Sequence, residues 1–218
     1  MIDVTGLNKT FGNNHVLKNI SVSIKGPGIL ALLGPNGSGK TTFLKCFLGM
    51  VIPDSGELLF QGESILKQYS YRRKLSCLSQ IARFPENLTV RELIVLMQEL
   101  KPGKTRESRF IEMFNLEREL NKKMRNLSGG TRQKVNILLA LMHDDPLLIL
   151  DEPSRGLDPL SLRELKKFIL REKERGKLII ITTHILSLAE QLADDILFLL
   201  EGNIFFKGSL QVLLEFQR

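Results

Sequence analysis

An α/β fold with a largely parallel sheet is predicted by three observations. From residue 147 onward, short apolar runs of strand length alternate with segments of helical period, the pattern of buried strands with helices packed on both faces. A glycine-rich stretch, Gly34-Pro35-Asn36-Gly37-Ser38-Gly39-Lys40-Thr41, lies between the apolar run 29–33 and a segment of helical spacing, the strand-loop-helix context of a phosphate cradle. Ahead of it, residues 16–24 place apolar side chains at Val16, Ile20, Val22 and Ile24, so a small antiparallel sheet is expected at the N-terminus.

The elements follow in order. Residues 2–7 alternate weakly, and Phe11-Gly12-Asn13-Asn14 reads as the turn before the second strand. Phe11 on such a sheet can stack on a base or pack in the core, and by itself the core reading is favoured. Residues 40–48 are apolar at helical spacing (Phe43, Leu44, Phe47, Leu48) and stop at Gly49, a C-terminal cap signal. A turn at residues 52–56 leads into strands at 57–60 and 75–78, the latter running into Ser79-Gln80. Thr89-Val90-Arg91-Glu92 is a capping box opening a helix to about Leu100, and a second helix is expected over 105–114. Residues 81–142 therefore read as a helical lobe inserted into an α/β core made of 1–80 and 143–218. Strands at 147–150, 178–182 and 196–200 then alternate with helices around 161–175 and 186–192, and residues 209–216 suit a short amphipathic helix.

Composition bounds the function. The chain has 218 residues, 43% hydrophobic and 25% charged, enough for one large domain with an ample core. A formal net charge of +7 permits contact with nucleic acid or an anionic membrane. The basic residues are scattered, however, with only short clusters at Arg72-Arg73-Lys74 and Lys122-Lys123, which reads as a solvated surface. Cys46 and Cys77 show no metal-ligand spacing and sit among apolar residues, so both are expected as buried small hydrophobes in a reducing compartment. No charged-then-apolar leader precedes the first strand, and a cytoplasmic start is expected. No apolar run approaches the roughly 20 residues that span a bilayer, so work at a membrane requires another chain to cross it.

Three constellations carry chemistry. The loop 34–41 bends so that successive N–H groups point at an anion, and the following helix adds its positive end. Lys40 brings charge to the β- and γ-phosphates and the Thr41 hydroxyl suits Mg²⁺. Leu147-Leu148-Ile149-Leu150-Asp151-Glu152 is a strand buried on both faces that ends in two carboxylates, where open α/β sheets bind ligands. Asp151 is placed to hold Mg²⁺ and Glu152 to orient the water that attacks a γ-phosphate. Leu127-Ser128-Gly129-Gly130 opens an apolar-periodic helix (Val135, Leu138, Leu139, Met142) with a serine N-cap and glycines that allow close backbone approach. It has no lysine or metal ligand of its own, which suggests half of a shared site.

The order of the P-loop, Gln80, Leu127-Ser128-Gly129-Gly130, the strand ending in Asp151-Glu152, Ser154-Arg155-Gly156-Leu157-Asp158 and His184 after a strand resembles the nucleotide-binding subunit of ATP-binding cassette (ABC) transporters. The resemblance spans essentially the whole chain. It implies a P-loop NTPase core of the ABC ATPase type, with ATP and Mg²⁺ as cofactors. It also implies a homodimer formed on ATP binding, each nucleotide lying between the P-loop of one subunit and the signature helix of the other. Carried over by position, Phe11 stacks on the adenine, residues Gly34 to Thr41 with Thr42 hold the phosphates, and Ser128, Gly129 and Gly130 contact the nucleotide from the other side. Thr41, Gln80 and Asp151 surround the metal, Gln80 also sensing the membrane partner. Glu152, His184, Lys40 and Gln80 form the catalytic set, with His184 hydrogen-bonded to the γ-phosphate, and Asp158 communicates across the dimer. His15 and His143 are left as satisfied core histidines.

The implied partner is a separate membrane-spanning subunit, with no nucleic acid, and the implied location is the cytoplasmic face of the membrane. Residues 81–88, with an exposed-looking Phe84, are the candidate docking surface, although Phe84 equally suits the lobe core. Two departures stand out: Thr131 replaces the usual Gln of the signature, and Arg155 replaces a usually small residue. Retained hydrolysis is expected. Residues 81–88 and 126–136 are similar to ATPase subunits encoded with nitrous oxide reductase maturation factors, implying copper-site assembly. A lipid, polysaccharide or drug exporter uses the same engine. A soluble clamp on ribosomes or DNA is the competing class, but it generally carries two cassettes or a long coiled-coil insertion, which this chain lacks.

Overall fold

The computed structural model describes residues 1–80, 83–209 and 211–212. In chain order its strands are β1 (Ile2–Phe11), β2 (Asn14–Ile24), β3 (Gly28–Leu33), β4 (Ser55–Phe60), β5 (Glu63–Ser64), β6 (Leu75–Leu78), β7 (Leu147–Asp151), β8 (Leu178–Thr182), β9 (Asp195–Leu200) and β10 (Asn203–Ser209). The helices are α1 (Lys40–Phe47), α2 (Val90–Leu100), α3 (Glu107–Phe114), α4 (Gly129–Leu141), α5 (Pro159–Glu174) and α6 (Leu186–Leu192). Among the described residues they form a four-stranded sheet ordered β2-β1-β4-β5 and a six-stranded sheet ordered β10-β9-β3-β8-β7-β6.

The first sheet is antiparallel throughout. The second is parallel except at its edge, where β10 pairs antiparallel with β9. Its register aligns the strand ends that matter. Leu78 lies beside Leu150, Asp151 beside Thr182 and Leu33 beside Phe198, so the residues that follow β3, β6, β7 and β8 emerge along one edge, where such sheets bind ligands.

Side chains that alternate along a strand divide the core in two. On one side Leu30, Leu32, Ile149, Ile180 and Leu197 pack with Phe43 and Phe47 of α1 and with Ile2, Leu7 and Leu58 of the antiparallel sheet. On the other, Ile29, Leu148, Leu150, Ile179 and Ile181 pack with Phe110 of α3, Val135 and Leu138 of α4 and Phe168 of α5. Three of the helices that cover this second side, α2, α4 and α5, begin with side-chain caps. Thr89 and Glu92 form the reciprocal capping box of α2, Ser128 caps α4, and Asp158 caps α5 with Pro159 in its first turn.

A buried ion cluster ties the helical block to the core. The Glu172 side chain of α5 is 0% exposed and accepts from Arg106 at 2.9 Å, Arg175 at 2.9 Å and Lys177 at 2.6 Å. Asp144 joins the same cations at Arg106, Arg175 and Lys177, which holds its carboxyl down at about 2 against the pull of its own desolvation. Nearby, Lys101 at the end of α2 reaches Asp145, which also accepts from Ser76 of β6 at 2.7 Å.

Several expectations change. β10 was not anticipated, because Phe205 puts an apolar ring on its outer face, 71% exposed, and hides the alternation. Ser209 ends that strand rather than starting a helix. Within the expected helix at 209–216, Gln211 and Val212 are helical, and residues 210 and 213–216 lie outside the described residues. Cys46 is buried but Cys77 only partly so, and burial pushes both thiols up to about 11. His143 is a buried histidine bonded to the Lys101 carbonyl at 2.8 Å. His15 is not a core residue: it is exposed on the hairpin, 3.3 Å from the Asn8 amide oxygen. Phe84 packs against the helical core rather than standing free.

Replacing Glu172 with Gln leaves Arg106, Arg109, Arg175 and Lys177 short of their buried anion, and unfolding in denaturant should show a loss of about 3 kcal/mol. A loss below about 0.5 kcal/mol would show that the cluster does not hold the helices to the core.

Candidate functional site

The cradle is built by close backbone approach. Gly34 leaves β3 at φ +147, and a Cβ there would stand 2.2 Å from the Leu199 carbonyl oxygen and 2.6 Å from Ser38 Oγ. Gly39 precedes α1 at φ +105, where a Cβ would meet the Val16 carbonyl at 2.9 Å. Gly37, at φ +81, faces open space. No side chain caps α1, so its first N–H groups remain available to an anion. Lys40 Nζ lies along the loop and donates to the Gly34 and Pro35 carbonyls at 2.8 and 3.0 Å. Burial pulls its pKa down while Glu152 and Asp151 push it back up.

One threonine holds the Asp151 carboxylate and the Glu152 backbone. The Thr182 hydroxyl, at the end of β8, donates to Asp151 Oδ1 and accepts from the Glu152 backbone N–H at 3.0 Å. Asp151 thus keeps its second oxygen for a ligand. Glu152 sits at φ +51, a left-handed conformation that costs a non-glycine residue about 1–2 kcal/mol and turns the chain out of the sheet. Its Oε1 accepts from His184 Nδ1 at 2.8 Å, with the Glu152 side chain 8% and the His184 side chain 60% exposed. This bond fixes the proton on Nδ1 and leaves His184 Nε2 for a ligand.

The loop and the two acids meet in a cavity of about 330 Å³ lined by residues 36–42, Gln80, Asp151 and Glu152, with Asn14 and Val16 of β2 at its side. Its oxygen donors at Thr41, Gln80 and Asp151 suit a hard cation such as Mg²⁺. No group of three or more His, Cys, Asp or Glu able to hold a metal alone occurs among the described residues, so an ion here completes its shell with phosphate oxygens and water. The cradle in which no Cβ fits and the uncapped helix start suit the phosphates of a nucleotide. His184 is not in that lining; with Gly34 and Pro35 it lines a second, larger cavity of about 880 Å³ walled by apolar side chains of β9, β10 and α6.

The remaining expected residues divide. Phe11 is 49% exposed, with Lys9 Nζ 5.2 Å from its ring. It is therefore not a core residue, and it pairs across the hairpin with Asn14, which lines the cavity. Ser128, Gly129 and Gly130 are not in that lining. Gly130 lies instead beside the Gly156 carbonyl, 3.3 Å from where its Cβ would be. Asp158 accepts from Ser161 at the start of α5 and from Lys134 of α4 at 2.7 Å, bonds that hold its carboxyl far below the usual range. Sequence reasoning passed over Thr182 and Lys134. Thr182 was findable, since a hydroxyl at the end of the strand beside β7 must lie next to its two carboxylates.

A family model described as ABC transporter matches residues 17–155. The chain is 33% identical to the Nod factor export ATP-binding protein I of Rhizobium sp. (strain N33), over 98% of its own length and 72% of that protein's. It is 34% identical to the bacitracin transport ATP-binding protein of Bacillus licheniformis, over 94% and 68% of the two chains. Among solved structures, the ATP binding subunit of an ABC transporter superposes with a TM-score of 0.90 at 29% identity, covering 100% of this chain and 93% of the other. A bacterial ABC transporter cassette in dimeric form gives 0.85 at 25% identity, over 96% and 99%.

The two loop glycines should respond differently. Gly37→Ala, in open space at positive φ, should cost about 1–2 kcal/mol. Gly34→Ala must displace backbone of β9 and should cost more than about 3 kcal/mol. Denaturant melts of the two variants measure the contrast, and equal losses would contradict the close approach.

Proposed function

Because this chain belongs to the ABC transporter family as an ATP-binding subunit, binding ATP with Mg²⁺ and hydrolysing it as part of a dimer beside a membrane-spanning partner, we propose the following division of labour among its residues. Residues 34–42 hold the phosphates, Lys40 leaving the loop carbonyls to meet the β- and γ-oxygens. Phe11 stacks on the adenine. Thr41, Gln80 and Asp151 hold Mg²⁺, which when bound neutralises charge developing on the transferred group. Glu152 orients the attacking water, and His184, aligned by its bond to Glu152, donates to the γ-phosphate from Nε2–H, which requires both ring nitrogens to carry protons while Nδ1–H stays on Glu152. The strain at Glu152 keeps its carboxylate at the cavity rather than back in the sheet.

The observation that carries this reading is that Ser128, Gly129 and Gly130 do not line the cavity formed by the loop and the carboxylates. A helix start exposed on the same chain but outside its own site serves the nucleotide of a second copy, and Asp158 lies at the junction between the two. The helical block, 81–142, is the lobe through which the partner is moved. The exposed residues Arg83, Pro85, Glu86 and Asn87 form its docking surface; residues 81 and 82 of the expected surface lie outside the described residues. This loop is bonded to the segment before α4, Met124 N–H to the Leu88 carbonyl at 2.9 Å and Arg125 N–H to the Glu86 carbonyl at 3.1 Å. A shift at the partner therefore reaches Ser128 through two backbone hydrogen bonds.

Among the described residues no helix is long and apolar enough to cross a membrane. Work on the inner face, beside the membrane partner, is part of the proposal. For cargo, the name of one relative, Nod factor export, supports an export system, and that of another, bacitracin transport, supports a transporter of a small bioactive compound. Service to copper-site assembly with nitrous oxide reductase rests on the similarity of residues 81–88 and 126–136 alone.

Glu152→Gln tests the central assignment. The variant should bind ATP, accumulate as a dimer in light scattering and lose at least about 100-fold in turnover. Normal hydrolysis by this variant would remove Glu152 from its role.

A further inference from the structure

Thr131, in the first turn of α4, places its hydroxyl 2.8 Å from the Ser128 hydroxyl. Its backbone N–H donates to the same Ser128 oxygen at 3.2 Å. A serine hydroxyl has one proton to donate and two lone pairs to fill. The Thr131 amide fills the first. When the Thr131 O–H fills the second, the one thing Ser128 can still offer is its own proton, and that proton points away from the helix. In the opposite arrangement, with Ser128 donating to Thr131, the serine would present a lone pair to the outside and repel an anion. Ser128 and Gly129 are exposed, and nothing lies within 4 Å of where a Gly129 Cβ would be, so the approach to this turn is open.

We infer that Thr131 is a positioning residue: by donating its hydroxyl proton to Ser128 it holds Ser128 as a donor for the phosphate of the nucleotide bound by a second copy of the chain. The inference rests on the reading of Ser128, Gly129 and Gly130 as the half of the site given to the partner. Thr131 does not touch the nucleotide itself. An acceptor that is already filled also makes the serine a stronger donor, since hydrogen bonds in a chain polarise one another. The choice of ligand follows, because a hydroxyl held as a donor favours an ionised phosphate oxygen over any group that must itself donate.

The test separates this role from helix capping. Thr131→Val keeps the branched shape and the backbone N–H that bonds Ser128, and removes only the hydroxyl. The ATP concentration giving half-maximal hydrolysis should rise roughly fivefold, the worth of about one hydrogen bond, with kcat little changed. Binding of a fluorescent ATP analogue to protein diluted below dimerisation should stay at the wild-type value, and the melting temperature should stay within about 2 °C of wild type. Thr131→Ser, which restores a hydroxyl, should restore the wild-type ATP dependence. Ser128→Ala is measured alongside. If Ser128→Ala is impaired and Thr131→Val behaves as wild type, the Thr131 inference fails and the shared site stands. If Ser128→Ala itself behaves as wild type, the shared-site reading fails. A Thr131→Val variant that melts earlier and loses monomer binding in step, or a Thr131→Ser variant that restores nothing, would assign Thr131 a structural role only.

Discussion

The approach of Gly34 to the Leu199 carbonyl is the constraint on which the rest of the site depends. β3 lies against β9, and the chain can leave the sheet at this point only because position 34 carries no Cβ. Two further glycines complete the fit. Gly39 and Gly202 both come so close to the Val16 carbonyl that a Cβ would stand 2.9 and 2.6 Å from it, and the Gly202 N–H donates to the Ser38 carbonyl at 3.2 Å. The loop is thus wedged between the β9–β10 turn and β2. This gives the antiparallel sheet a function beyond stability: β2 supplies the wall against which the loop is shaped, and the hairpin carries Asn14 to the side of the cavity, with Phe11 paired opposite it.

Charge is arranged on that scaffold with the same economy. Lys40 is 8% exposed, and Asp151 and Glu152 are 8% and 7% exposed, so each would be costly to bury alone. Glu152 and Asp151 offset part of the burial that lowers the Lys40 pKa, and Thr182 ties the Asp151 carboxylate and the Glu152 backbone to the neighbouring strand. The left-handed backbone at Glu152 is tolerated because Thr182 accepts its N–H through both side chain and carbonyl. The resting site therefore holds its charges in bonds that a nucleotide can replace. Lys40 lies on carbonyls, which accept less strongly than phosphate oxygens.

Much of this was legible because it rests on local rules. Periodicity located the buried strands, since β7 and β8 read as unbroken apolar runs, and the capping box at Thr89 located α2. The glycines and acids of the site declared themselves through spacing. What was not legible depended on contacts between distant segments. The partial burial of Phe84 against the helical core and the exposure of His15 and Phe11 depend on which faces the packed elements present. β10 escaped because Phe205 is apolar on an open face, so its alternation carries no hydropathy signal. Thr131 reads in the sequence only as a departure from the usual Gln of the signature. Its bond to Ser128 shows a hydroxyl placed where it can orient the serine, and only the geometry of a helix start reveals that.

The structure leaves one chain with a phosphate cradle, its acids and a separate exposed helix start, and the account holds that two such chains complete each other. Mixing two crippled variants tests this most directly. Lys40→Ala and Ser128→Ala should each hydrolyse ATP poorly alone. In a mixed dimer one site carries both defects and the other carries neither, so an equimolar mixture should recover about a quarter of wild-type activity. A mixture no more active than the separate proteins would contradict the shared site.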